Sequence, residues 1–412
     1  MRVNIVTGWG VDWVFADLID RLRHFVKADV VVTERPLDGG RKRPQAGGRS
    51  KRRAQKRPQA DVFHFWRPQA AVGVEDLSRA VLTCHGLGYW AGGERGAQGR
   101  PIYGPQVIEA FRRAAAAIVL NSGDEQELQR HGLSQERIHG IPHAVDPEVF
   151  ALRREHDPAS KLVIGRVGRP YGPPDDPHSG VECKGRATLH EIMQGLKRHG
   201  GQIKWLFLGQ GWEHEHALAQ RLGFESMFIA RTQRSYPDGF VAAYHEMDVF
   251  LVTSRAEGGP ASLPEAMACR VWPVCTPVGM CADLIRPGLN GELYPVNCHE
   301  AATGQLEALL EDRERLEQQR QAVRASVLSL TWSRWAEAHR WAPRCGPCMS
   351  RSPWRTPPSA RRRQHEHSDL RCDDGFGVPG VPCSPGCWAG GSVRGRVWPR
   401  PGTGRQGARS RG

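Results

Sequence analysis

Two glutamates, Glu257 and Glu265, stand eight positions apart in the stretch EGGPASLPEAMA, on either side of a Gly-Gly-Pro turn. Such a pair can act as a catalytic acid and base, can hold two parts of one ligand, or can belong to a helix start. A retaining glycosidase needs its two carboxyl groups about 5 Å apart across the scissile bond. Because one glutamate precedes the turn and the other falls in the first turn of a predicted helix, we expect them to hold different parts of one ligand.

The residues between the glutamates have the form of a phosphate-binding loop. Gly258 and Gly259 let a ligand approach the backbone closely, and a following helix start offers free amides and partial positive charge. We expect that helix to begin near Pro264, with Ser262 as its cap and Glu265 completing a capping box. A capped helix without a ligand has the same local pattern, so these residues alone leave both interpretations open.

Other candidate residues also follow predicted strands. Arg169 ends the stretch KLVIGRVGR, Lys184 lies fifteen residues later, and His85 belongs to AVLTCHG. Gly8 and Gly10 form a GWG turn after the first strand. A lone histidine at a strand end is more often structural, and GWG also fits an ordinary strand-to-helix turn.

The elements that must position these residues alternate between strands and helices in two successive sets. The first set runs from RVNIVT and the helix VDWVFADLIDRLRHF to PQVIEAFRRAAAAIVLNS, and the second from KLVIGRVGR to DVFLVTS. This alternation predicts two α/β units with parallel sheets. Right-handed crossovers would place the loops at the carboxyl ends of the strands, facing a cleft. TWSRWAEAHRW predicts a last amphipathic helix.

The net charge of +13 is concentrated in two segments outside these units. Residues 35–57 carry ten Arg or Lys against one acid, and residues 340–412 carry fourteen Arg against four acids, which leaves −6 for the rest of the chain. Neither segment has helical or strand periodicity, so we predict a disordered basic insertion over 35–59 and a disordered tail over 342–412. The acidic body argues against general polyanion binding, and no specific nucleic acid is expected as a partner.

Cysteine usage and the N-terminus indicate the compartment. Five of the eleven cysteines lie in the tail, where CGPC and CSPGC, with His365 and His367 between them, offer conceivable zinc ligands. The spacing of the second pair and the lack of predicted strands favour reduced thiols, and we expect no metal. The N-terminus lacks the features of a secretory signal, and no apolar run approaches the roughly 20 residues of a membrane helix. A cytoplasmic protein is therefore expected.

The glutamates and their flanks resemble a known family signature. The pattern S-x-x-E-G-G-P-x-S-L-P-E-A-M-A-C is similar to that of family 4 retaining glycosyltransferases of the GT-B fold, group 1 type. VGR followed by KG, IPHAVDPEVF, PVGMCADLIRPGLNGELY and TWSRWAEAH resemble further segments of that family, over roughly residues 1–34 and 60–341. Arg270 departs from the pattern, because the family usually has a glycine that ends the signature helix with a positive φ.

The resemblance implies two Rossmann-like domains that face a cleft. An N-terminal acceptor domain would span 1–152, interrupted by the basic insertion, and a nucleotide-sugar domain would span 153–330. A crossover helix at 331–341 would return to the first domain, before the Arg/Pro/Gly-rich tail.

The resemblance also implies roles for the candidate residues. Arg169 and Lys184 would offset negative charge on the departing diphosphate, which stabilises the transition state. Glu257 would contact the transferred sugar, and His85 would face that sugar from the other domain. Glu265 would bind the ribose hydroxyls of the donor. The remaining donor-binding residues would be Gly258, Gly259, Ser262, Leu263, Gly8 and Gly10.

The implied activity is the transfer of a hexose from a nucleoside-diphosphate sugar to a glycan or lipid-linked acceptor, with retention of configuration and without metal or cofactor. We expect it in bacterial cell-surface polysaccharide or glycolipid synthesis, at the inner face of an anionic membrane. One alternative is a catalytically impaired relic that binds membranes or nucleic acid through its basic segments. A nucleotide-sugar hydrolase or epimerase is another, and it would need an acid–base pair in the cleft.

Overall fold

The computed structural model describes residues 2–6, 24, 29–33, 60–87, 104–151, 160–170, 183–230 and 236–341. Both sheets described below belong to one unit, Met1–Arg371. Several predictions lie outside the described residues: the disordered segments 35–59 and 342–412, the boundary at 152, nearly all of the helix VDWVFADLIDRLRHF, Gly8 and Gly10.

The first sheet has six parallel strands. They are β1 (Arg2–Val6), β2 (Asp29–Thr33), β3 (Val62–Phe65), β4 (Ala80–Cys84), β5 (Ala116–Val119) and β6 (Ile138–Gly140). Their order in the sheet is β2-β1-β3-β4-β5-β6. The accompanying helices in the described residues are α1 (Pro105–Arg113) and α2 (Ser122–Arg130), with 3-10 turns at Pro68–Ala71 and Gln135–Arg137. The strands are short and apolar because both faces of this sheet are covered.

The second sheet also has six parallel strands. They are β7 (Leu162–Val167), β8 (Ile203–Leu208), β9 (Glu225–Ile229), β10 (Val249–Val252), β11 (Trp272–Cys275) and β12 (Glu292–Leu293), in the order β12-β11-β10-β7-β8-β9. The first four helices here are α3 (Arg186–Gly195), α4 (Glu213–Arg221), α5 (Asp238–His245) and α6 (Ser262–Ala268), with a 3-10 turn at Leu196–His199. The next three are α7 (Met280–Leu284), α8 (His299–Glu311) and α9 (Arg313–Ala325). The predicted pair of parallel α/β units is thus confirmed in the described residues.

The last described helix, α10 (Trp332–Trp341), packs against the first sheet although it follows the helices of the second. Trp332 and Trp335 are buried together with Val81 and Ile118 of the first sheet. This helix therefore ties the two sheets together through apolar contact. None of the described helices is both long enough and apolar enough to span a membrane.

The start of α6 contradicts the predicted capping box. The helix begins at Ser262 itself, and its N-cap is Ala261, whose backbone is helical and makes no side-chain capping bond. Ser262 is therefore the first helical residue and Pro264 the third. The prediction was wrong because a capping side chain requires an extended backbone, and the chain is already helical here.

The end of α6 is a Schellman turn built on Arg270. The amide of Val271 donates to the carbonyl of Ala266 at 3.0 Å, and the amide of Arg270 donates to Met267 at 3.0 Å. Arg270 has φ 64°, the left-handed conformation that glycine usually supplies at this position. The turn therefore forms as it would with glycine, but it carries the steric cost of a side chain.

We expect Arg270→Gly to raise the free energy of unfolding by roughly 0.5–1 kcal/mol, because relief of the left-handed strain exceeds the added chain entropy of glycine. Arg270→Ala is the matched control, since it also removes the long side chain but keeps the strain. Urea denaturation of the three proteins checks this. Equal stability of the glycine and alanine variants would contradict it.

Candidate active site

A cavity of about 300 Å³ opens beyond the carboxyl ends of β7 and β10, which are neighbours in the second sheet. It is bordered by the turns after these strands, by residues that follow β6 and by the start of α10. Six of the predicted site residues line it, and these are Arg169, Lys184, Glu257, Gly259, Ser262 and Glu265. Predicted site residues from separate parts of the chain therefore lie around one cavity.

Lys184 and Glu257 form an ion pair at the wall of this cavity. The Lys184 ammonium contacts Oε1 of Glu257, and the Ser254 hydroxyl donates to the same oxygen at 2.9 Å. The side chains of Lys184 and Glu257 are only 23% and 14% exposed, so solvent screens the pair less than a surface pair. Arg169, in contrast, is exposed and donates to the neutral amide oxygen of Gln210 at 3.0 Å.

The turn that carries Lys184 packs closely against the end of β10. Gly185 has φ 65°, and a Cβ atom there would lie 1.7 Å from the carbonyl oxygen of Thr253. The Thr253 hydroxyl donates to the carbonyl of Lys184 at 2.7 Å. Only glycine permits this approach, so the KG pair fixes the lysine beside the strand that leads to Glu257.

Arg166 is a site residue that the sequence analysis missed. Its guanidinium is buried, donates to the carbonyl of Leu251 at 2.7 Å and to that of Lys184 at 3.1 Å, and lies 5.3 Å from the ring centre of Trp212. The signal in the sequence was a single charge inside the otherwise apolar strand LVIGRV. A charge in such a strand is expected to have a specific partner, because its desolvation is costly.

Glu265 also lines the cavity and lies between two tyrosines. The Tyr236 hydroxyl donates to its Oε1 at 2.9 Å, and the Tyr244 hydroxyl donates to its Oε2 at 2.8 Å. Glu265 as a whole residue is 9% exposed. The sequence analysis identified neither tyrosine, because they lie 29 and 21 positions before the glutamate in the chain.

The glycine loop between the glutamates touches the first sheet's loops. A Cβ atom on Gly258 would lie 2.2 Å from the carbonyl of His85, and the Asn121 amide donates to the carbonyl of Gly258 at 2.6 Å. His85 itself does not border the cavity, and its Nε2 donates to the backbone oxygen of Trp66 at 2.8 Å. Leu263 is buried in the core of the second sheet. Sugar contact by His85 stays a prediction.

Asp124, a buried carboxylate in α2, supports the contact between Asn121 and Gly258. Asp124 accepts hydrogen bonds from the Leu87 amide and from the side chain of Asn121, both at 2.7 Å. Burial raises the pKa of Asp124 to about 6, although both hydrogen bonds act in the opposite direction. Asp124 thereby orients the same Asn121 side chain that reaches Gly258.

Three buried histidines lie at the junction of the first sheet and α10. Burial lowers the pKa of His64 well below its ordinary value, that of His143 to about 3, and that of His339 to about 4. His143 lines the cavity, in the IPHA segment, and is therefore neutral at physiological pH. Nearby histidines add to the lowering of all three pKa values.

One group in the described part of the chain has the spacing of metal ligands, and it comprises His190, His214 and Glu215. None of the three borders the cavity. Burial raises the pKa of Glu215, but the hydrogen bond from His190 and the charge of Arg186 outweigh burial and leave the pKa below its ordinary value. Arg186 Nε lies 2.6 Å from Glu215 Oε1, so this carboxylate already has a cationic partner.

Comparison with known protein families agrees with this arrangement. The family described as Glycosyl transferases group 1 matches residues 179–326, and Glycosyltransferase Family 4 matches residues 8–149. Together the two matches cover more than half of the chain. The chain belongs to glycosyltransferase family 4.

The family 4 chain is also similar to a curated relative, the lipopolysaccharide 1,6-galactosyltransferase of Salmonella typhimurium. The two are 26% identical over 209 residues, which is 49% of this chain and 54% of the relative. The matched part of the chain thus spans about half the length of that protein.

Solved structures confirm the GT-B fold of the family 4 chain. Sucrose-phosphate synthase from Thermosynechococcus elongatus superposes with a TM-score of 0.62 at 16% identity, covering 84% of this chain and 98% of that one. HepE from Anabaena, in complex with UDP and glucose, superposes with a TM-score of 0.59 at 15% identity, covering 82% and 98%. At these identities the likeness establishes the fold alone.

We expect Gly258→Ala to lower the free energy of unfolding by roughly 1–3 kcal/mol, because the new methyl group would overlap the His85 backbone and separate the two loops. Gly304→Ala in α8 is the matched control, since no atom lies within 4 Å of its added Cβ. Thermal and chemical denaturation measure both. A Gly258→Ala protein as stable as the parent would contradict the contact.

We expect acidification to destabilise the protein between pH 6.5 and about 4, because the folded state keeps the three buried histidines neutral while the unfolded chain protonates them. Each histidine contributes up to ~1.4 kcal/mol per pH unit. Asp124, from about pH 6 downward, and Glu292 act in the opposite sense, since burial raises the pKa of both on folding, but they are two groups against three.

His339→Asn isolates this effect. Asparagine keeps a donor for the Trp335 carbonyl, which His339 Nδ1 contacts at 2.8 Å, but it does not titrate. Urea denaturation at pH 7 and pH 5 should give a smaller loss of stability for the variant than for the parent protein. An equal loss would show that His339 does not contribute.

Proposed function

We propose that this chain is a glycosyltransferase that moves a hexose from a nucleoside-diphosphate sugar to an acceptor, with retention of configuration. One observation carries the proposal: Arg169, Lys184, Glu257 and Glu265, from separate parts of the chain, border the same cavity. Two cations beside two carboxylates match a ligand that has both a diphosphate and sugar hydroxyls. Family membership supports the same activity.

The cations would serve the leaving group. As the bond between sugar and diphosphate breaks, negative charge grows on the diphosphate, and fixed positive groups lower the energy of that state. Lys184 is held between Glu257 and the end of β10, and so it needs little reorganisation when the donor binds. Its ammonium group has three donors, so it can keep Glu257 and contact a phosphate oxygen at once.

The two carboxylates would hold different parts of the donor. Glu257, oriented by Ser254 and Lys184, would accept hydrogen bonds from the transferred sugar. Glu265, held by Tyr236 and Tyr244, would accept them from the ribose. Gly258 is buried against the backbone of His85, whereas Gly259 and Ser262 border the cavity, so their backbone amides would be the ones to meet the phosphates.

We propose further that no metal takes part in this reaction. Arg169 and Lys184 supply the positive charge that a divalent ion would otherwise bring to the diphosphate. The acceptor would be a glycan or lipid-linked sugar, as in bacterial cell-surface polysaccharide or glycolipid synthesis. A cytoplasmic location beside an anionic membrane would fit such an acceptor. The curated relative, a lipopolysaccharide galactosyltransferase, supports this acceptor class.

We expect a sugar nucleotide from a panel of UDP- and GDP-sugars to raise the melting temperature of the protein, because a ligand at 100 times its Kd stabilises by about 2.7 kcal/mol. Glu265→Ala should lose both this shift and all donor turnover while it keeps the fold. Glu311→Ala, an exposed glutamate at the end of α8, is the matched control. Unchanged donor turnover in Glu265→Ala would overturn the proposal.

The finer parts of the proposal have separate readouts in the same assay. The anomeric proton of the product, observed by NMR, should have the configuration of the donor if the transfer is retaining. A rate unaffected by EDTA is expected for a metal-independent reaction.

A further inference from the structure

We propose that Tyr236 and Tyr244 are positioning residues that hold the Glu265 carboxylate ready for the two ribose hydroxyls of the donor. They would thereby make the pocket selective for ribonucleotides. This inference rests on the proposed function, since it assigns the neighbours of a residue that contacts the donor.

The two tyrosines bind different oxygens of one carboxylate. Tyr236 precedes α5 and donates to Oε1 of Glu265, whereas Tyr244 lies within α5 and donates to Oε2. One short segment of the chain thus holds both ends of the carboxylate at hydrogen-bond distance. This fixes the rotation of the carboxylate plane, which a single hydrogen bond would leave open.

A carboxylate can accept hydrogen bonds from the phenols and from a vicinal diol at the same time. An ionised carboxylate has about four lone-pair sites, two on each oxygen. Each oxygen of Glu265 can therefore keep its phenol and also accept from a hydroxyl group of a bound ribose. Hydrogen bonds to an ionised acceptor are stronger than neutral ones, so both the phenols and the ribose gain from the charge.

The Tyr244 phenol is a donor throughout the physiological pH range. Burial raises the pKa of Tyr244 well above its ordinary value, and the charge of Glu265 raises it further. A protonated phenol facing a carboxylate donates its hydrogen to that carboxylate.

The hydroxyl groups can be removed without disturbing the packing of the rings. The Tyr236 ring lies 5.4 Å from that of Phe240 and 6.1 Å from that of Phe150, and the Tyr244 ring also lies 6.1 Å from Phe150. Phenylalanine at either position keeps these contacts. Tyr294→Phe is a matched control, because its hydroxyl donates to the carbonyl of Val252, which keeps a bond from the Thr276 amide.

The test compares two probes by titration calorimetry, UDP and 2′,3′-dideoxy-UDP, with the guanosine pair run in parallel. In the parent protein the loss of both ribose hydroxyls should weaken binding. Tyr236→Phe and Tyr244→Phe should each weaken the ribonucleotide about tenfold, or 1.4 kcal/mol, and leave the dideoxy probe within about twofold. Tyr294→Phe should leave the affinity for both probes unchanged.

The outcomes separate the inference from the proposed function. If both probes weaken equally in the tyrosine variants, or if the ribonucleotide binds as before, the tyrosines do not act through the ribose contact and the inference is overturned. In that case Glu265→Gln should still weaken the ribonucleotide, and the proposed function stands. If neither UDP nor GDP binds the parent protein, or if Glu265→Gln binds them as tightly as the parent, the proposed donor site itself is wrong.

Discussion

The guanidinium of Arg166 is the interaction on which the geometry of the cavity depends. It is buried at the end of β7 and donates to the carbonyl of Leu251 in β10 and to the carbonyl of Lys184. A charge in such a position is tolerated only when its donors have partners, so it penalises any arrangement that separates these segments. Because β7 and β10 are adjacent and parallel, the turns after them meet at one edge, and Arg166 fixes the Lys184 turn between them.

Much of the fold could be predicted from sequence patterns that span only neighbouring residues. Apolar strands alternating with amphipathic helices predicted two parallel sheets, because parallel strands need crossovers and become buried on both faces. The start of α6 was less predictable, since Ala261 is already helical and Ser262 therefore cannot cap it. At the other end of that helix, Arg270 adopts a glycine conformation against its local preference, because the hydrogen bonds of the Schellman turn specify it.

The site was predictable only where its chemistry lay within one short segment. Glu257 and Glu265 could be recognised because one short segment, the turn and the first part of α6, carries both. Lys184 could be placed only by resemblance, because its contact with Glu257 spans 73 residues. Tyr236 and Tyr244 left no signal at all, since a tyrosine before or within an amphipathic helix usually serves the core. Their hydroxyl contacts depend on how α5 and α6 pack, which no local pattern specifies.

The formal charge of the cavity is opposite in sign to that of the body of the chain. The cavity is bordered by the cations Arg166, Arg169 and Lys184 and by the carboxylates Glu257 and Glu265, and His143 is neutral, so its formal charge is +1. The whole chain outside its two basic segments, with the cavity included, carries −6. Positive potential is therefore confined to a small space with low-dielectric walls, where a field acts more strongly than on an open surface. A confined positive site of this kind would suit the small anionic donor of the proposed function better than an extended polyanion.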